Sequence, residues 1–146
     1  MKIPRIWIAV LVAGIVCNVL DLVVQGKLLT DAYYVKIDSM RQDTNPAWFV
    51  FGDFVAVIVL AWVLGRVSAA FGPSLKAGAT AGFFFGVLAN FPTWHLVALM
   101  FKGIPYPLVW IETIYGIIWY VIAGAILAAL MEKTPPAPGA AGIKAA

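Results

Sequence analysis

The sequence predicts an all-α protein: an integral membrane four-helix bundle with antiparallel, up-down topology and both termini on the cytoplasmic side. Three observations carry this reading. Only 12% of the 146 residues are charged and 63% are hydrophobic, whereas a soluble domain keeps roughly a quarter charged, so a water-facing surface could not be covered. Mean hydropathy is +0.95. The charges gather into short clusters, leaving apolar runs of roughly 20 residues or more, the length that crosses a bilayer. Membrane strands would alternate apolar and polar over about ten residues. These runs are continuous and longer, so helices are the way to satisfy their backbone groups.

The runs fall at residues 6–29, 47–71, 77–101 and 107–131, within one transmembrane domain over 1–133. The first follows Lys2 and Arg5 and resembles a signal peptide at its start. Its apolar character continues past Cys17 to Val24 without an A-x-A site, and Val16 before Cys17 argues against lipoprotein processing. It is read as an uncleaved helix. Cys17 is the single cysteine, which excludes an internal disulfide or C-x-x-C redox pair and suits a small buried residue.

Before the second run, Asn45 and Pro46 read as cap and first helical residue. Tyr33 and Tyr34 suit the headgroup level. The third and fourth runs are joined by "KGIPYP", too short for anything but neighbouring antiparallel helices. The tail 134–146, "TPPAPGAAGIKAA", has the composition of a flexible segment.

Net charge is +3, but the basic residues are scattered over every loop, which fits membrane-edge anchors rather than nucleic acid. With the N-terminus inside, Lys2, Arg5, Arg66, Lys76, Lys133 and Lys144 lie on the cytoplasmic side and Lys27, Lys36, Arg41 and Lys102 opposite. Six against four favours both termini inside a bacterial inner membrane. The expected surroundings are the lipid bilayer, with a homodimer or another membrane protein as partner.

Within these runs "NVLDLVVQG" places Asn18, Asp21 and Gln25 three and four residues apart, on one helix face. Measured from the external end at 1.5 Å per residue, Asp21 lies about 12 Å deep. Asp53 and His95 lie about 9 Å deep and Glu112 about 7 Å. Asn18 and Asn90 sit deeper. Each helix thus contributes one ionisable residue in the same half of the membrane, where such groups tend to face a bundle interior or a wet cavity. Three carboxylates that met would need shared protons, Lys27 from one turn further out, a protonated His95 or a bound cation. A metal would use Asp21, Asp53, His95 and Glu112, although no E-x-x-H or H-x-x-x-H spacing is present and no cofactor is predicted. The plainer alternative is that Asp53 and Glu112 favour helix N-termini and that His95, beside Trp94, belongs to the interfacial aromatic belt.

In the third run Gly78, Gly82, Gly86 and Asn90 recur every four residues, a stripe that lets helix backbones approach closely. Its partner is the first or fourth helix of the same chain, or a second copy. Pro92 is expected to kink this helix. In a straight helix His95 would point about 140° away from Asn90. In the fourth run Glu112, Tyr115, Gly116 and Trp119 lie along one side, and Tyr115 and Trp119 are able to donate hydrogen bonds into a shared cavity.

"NVLDLVVQGKLLTDAYY", "GATAGFFFGVLANFP" and "IPYPLVWIETIYGIIWYVIAGAILAAL" resemble a group of small bacterial four-helix membrane proteins of unknown function. The resemblance covers nearly the whole chain and implies the four-span topology, without an activity. Relatives often carry His-Gly after the helix 1 Asp, where this chain has Gln25 and Gly26, a departure that weakens a metal role at position 25.

The leading functional expectation is a polar pocket that binds or passes a small ion or proton. The second is a structural or accessory subunit docking through the glycine stripe. The third is a membrane enzyme acting on a lipid, for which Ser39, Ser68 and Ser74 lie in or near loops without a paired base. No catalytic residue is assigned.

Overall fold

The computed structural model describes residues 5–39, 43–71 and 74–131. The tail 134–146, with Lys2, Arg41, Lys133 and Lys144 from the charge count, lies outside them. Helix α1 spans Arg5–Val23 and runs on through a π-helical stretch, Val24–Leu29, into a short turn at Thr30–Ala32 and a 3-10 turn at Tyr34–Lys36. Helix α2 covers Ala47–Phe71, α3 Leu75–Met100 and α4 Tyr106–Met131. Among the described residues there are therefore four helices long and apolar enough to cross a membrane.

Local chemistry sets the helix ends. Asn45 Oδ1 accepts the Ala47 N–H at 2.9 Å, and Ser74 Oγ accepts that of Ala77 at 3.1 Å; each satisfies a donor left over at a helix start. Gly103, at φ +89°, makes the turn between α3 and α4, a conformation that an L side chain resists.

The π-helical stretch has its own support. The Thr30 hydroxyl donates to the Gln25 carbonyl at 2.7 Å, five residues back, the reach that the wider turn requires. Nothing in the apolar pattern of residues 6–29 signalled it.

α3 is continuous helix from Leu75 to Met100 with Pro92 inside it. Nearby polar side chains turn back onto the helix's own carbonyls: Asn90 Nδ2 to Gly86 at 3.0 Å, Thr93 Oγ1 to Ala89 at 2.5 Å, and His95 Nδ1 to Phe91 at 2.7 Å. Each of these side chains thereby finds an acceptor within its own helix, as polar groups in an apolar slab must.

Two apolar groups hold the bundle. The larger joins Ala9, Ala13 and Cys17 of α1 to Val57, Leu60 and Leu64 of α2 and Trp119, Ala123 and Leu127 of α4. The smaller joins Leu29 and Ile37 to Leu108, with Tyr33, Tyr34, Ile104 and Ile111 packed on it, so the segment after α1 covers the start of α4. Elsewhere large apolar side chains point outward, Leu99 at 83% exposure and Leu88 at 72%, as lipid solvation permits and water does not.

The glycine stripe settles between its alternatives. A Cβ on Gly78 would strike the Gly124 carbonyl oxygen, on Gly82 that of Tyr120, and on Gly86 the Ile117 Cα at 2.7 Å. All three are buried against α4. The stripe therefore packs on α4 within the chain.

Candidate functional site

The site is built around Asp21. Tyr115 Oη donates to Asp21 Oδ1 at 2.5 Å and Trp119 Nε1 to Oδ2 at 2.9 Å. Both donors lie on α4, one turn apart, so a single face of that helix holds both oxygens of one α1 carboxylate. Charge-assisted bonds of this kind are among the stronger ones. From α2 the Asp53 carboxyl comes within hydrogen-bonding reach of Asp21.

These groups line a cavity of about 130 Å³ together with Gln25, Ala56, Asn90, Gly116 and Tyr120. Each of the four helices reaches it. None of its lining residues is basic, and Lys27 is exposed rather than curled back. Gly116 is there for space: a Cβ at that position would run into the Asn90 side-chain amide. Asn90 gives its Nδ2 to the Gly86 carbonyl of its own helix, which holds the amide beside Gly116.

Of the residues singled out in the sequence, Asp21, Gln25, Asp53, Asn90 and Tyr115 meet in this cavity. Asn18, Glu112 and His95 are not among its lining. Asn18 gives its Nδ2 to the Gly14 carbonyl at 2.9 Å, a bond within its own helix. Glu112 is buried, at 1% exposure, with Oε1 unpartnered among the described residues. It stays within electrostatic range of Asp21 but turns away from the cavity.

His95 belongs to an aromatic group instead. Its ring stacks on Phe91 at 4.3 Å and meets Trp110 edge-on at 5.0 Å. Its azimuth, about 140° round the helix from Asn90, fits a place outside the cavity lining. The metal set Asp21, Asp53, His95 and Glu112 is therefore not assembled, and no three His, Cys, Asp or Glu residues meet among the described residues.

Sequence reasoning left out Tyr120 as a lining residue. Its signal was available, one turn after Gly116 on α4, but its aromatic ring reads equally as core. Trp119 was seen as a donor, whereas its acceptor, Asp21, was not foreseen.

A family model described as "Protein of unknown function (DUF1761)" matches residues 8–128, and the chain belongs to that uncharacterised family. No curated protein and no solved structure matches the chain.

Proposed function

Taking membership of that family as the premise, we propose that the protein is a multi-pass membrane protein whose Asp21–Asp53 pocket binds, or passes, a small cation or proton. The observation that carries this is the facing pair of carboxylates in a cavity lined by no basic residue. Two acids at such close range in an apolar slab call for a positive charge between them. Gln25, Asn90 and Tyr120 add oxygen donors, the hard ligands that proton, hydronium and alkali or alkaline-earth cations prefer. Tyr115 and Trp119 hold Asp21 in place, which leaves Asp53 as the more adjustable partner.

We further propose an up-down, antiparallel bundle in a bacterial inner membrane, with both termini cytoplasmic. The descending contacts of Gly78 with Gly124, Gly82 with Tyr120 and Gly86 with Ile117 support that order for α3 and α4. Asp21 with Tyr115, and Leu29 with Leu108, support it for α1 and α4. The six-to-four distribution of basic residues supports the orientation.

The test is purified protein in liposomes loaded with a pH dye, challenged with a proton gradient and then with Na⁺, K⁺ or Mg²⁺. Asp21→Asn and Asp53→Asn are each expected to abolish the flux of the coupled ion. Flux unaltered by Asp21→Asn would remove the pocket from the account.

A further inference from the structure

Among the described residues two buried side-chain polar atoms outside the pocket lack a partner, His95 Nε2 and Glu112 Oε1, and Glu112 is the more deeply buried residue. Its exposure is 1%, and its Oε1 has no hydrogen-bond partner among the described residues. One turn back along α4, Leu108 is equally buried and joins Leu29 and Ile37 in the apolar cap over this end of the bundle. The charged group that acts on Glu112 is Asp21 on α1, another acid, and the titratable group of α3 nearest in sequence position along the contact is His95, whose ring meets Trp110 two residues before Glu112. An ionised carboxylate here would be an uncompensated buried charge beside a like charge, a costly arrangement even where burial is partial. A neutral acid would not be.

We infer that Glu112 is a proton-binding site separate from the Asp21–Asp53 pocket, holding its proton behind the cap of Leu29, Ile37 and Leu108 and exchanging it when that cap opens. The ligand is H⁺. Loading forms one O–H bond at the carboxylate, and release breaks it with the electron pair staying on oxygen. The opening element is the π-helical stretch Val24–Leu29, which carries Leu29 of the cap and Gln25 of the pocket. π-turns are rare and poorly stable insertions that often mark functional sites. Tyr115, one turn further along α4, reaches Asp21, so a proton leaving Glu112 inward has the pocket as its nearby acceptor. The inference stands whether or not the pocket takes up a cation.

Infrared spectroscopy of the full chain in phosphatidylcholine vesicles tests it, through the carbonyl stretch of a protonated carboxylic acid. The chain has two glutamates, Glu112 and Glu132, so ¹³C-glutamate labelling assigns the band without any substitution. The expected result is an acid band that shifts with the label, survives Glu132→Gln and disappears in Glu112→Gln. The band should also move on transfer to D₂O, about tenfold or more faster in Leu108→Ala, where the cap loses packing. The inference is overturned if no acid band shifts with the label, or if the band is lost in Glu132→Gln. It is equally overturned if the band never exchanges in D₂O in either the wild type or Leu108→Ala.

Discussion

Asp21 and Glu112 are two acids placed in apolar helices toward the same end of the bundle, and the fold treats them in opposite ways. Asp21 is half-buried at a cavity, and both of its oxygens accept a hydrogen bond from α4. Glu112 lies on α4 itself, almost fully buried, with one oxygen unpartnered. The difference shows that depth in a membrane does not determine what an acid does. What matters is whether neighbouring helices present donors to it, and Tyr115 and Trp119 both face α1 while neither bonds Glu112. An acid held by two donors has both oxygens fixed in place at the cavity. Glu112 instead keeps a buried oxygen that no donor among the described residues reaches.

The largest effect should come from breaking the partnered side. Asp21→Leu leaves the Tyr115 hydroxyl and the Trp119 indole N–H without an acceptor and is expected to cost about 3–5 kcal/mol, read from the unfolding midpoint in mixed detergent micelles. A loss near zero would mean that Asp21 is not held as described. Removing the donors one at a time should be milder, with Tyr115→Phe and Trp119→Phe each costing about 1–3 kcal/mol. In double-mutant cycles with Asp21→Asn, both should show coupling of about 0.5–3 kcal/mol; strict additivity would separate the residues.

Gly116→Ala sharpens the comparison from the pocket side. The added Cβ collides with the Asn90 amide, so a cost of about 1–2 kcal/mol is expected from overpacking, with a change in the Asn90 side-chain amide resonances. The smallest effect belongs to the other acid. Glu112→Gln, close in shape to a neutral Glu112, should shift stability by about 1 kcal/mol or less. A loss as large as that of Asp21→Leu would end the contrast, because it would make Glu112 a partnered anion.

The contrast also marks what was legible in the sequence. Hydropathy and charge spacing place four helices because apolar length is a one-dimensional property, and α2 at Ala47–Phe71 follows its apolar run closely. Rise along the axis likewise brought Asp21 and Asp53 to a common level. Azimuth was not legible. Whether Glu112 faces the cavity or the space beneath Leu108 depends on how α4 is rotated, and that rotation is set by Gly78, Gly82 and Gly86 locking onto it. Gln25 reaches the pocket from within a π-helical stretch whose sequence looks like ordinary helix. His95 turned on azimuth as well, and its ring lies against Phe91 and Trp110, the aromatic setting that its neighbour Trp94 suggested as the plainer alternative.

The most direct test of the pocket as a cation or proton site uses Trp119, whose indole N–H is bonded to Asp21 and should sense any positive charge that arrives there. Intrinsic fluorescence of the purified protein would be followed while Na⁺, K⁺, Mg²⁺ and protons are titrated in turn, with Trp119→Phe as the blank. The account predicts a saturable change for at least one of them, absent in Trp119→Phe and lost in both Asp21→Asn and Asp53→Asn. No saturable change with any of the four, or one that Asp21→Asn leaves intact, would contradict it.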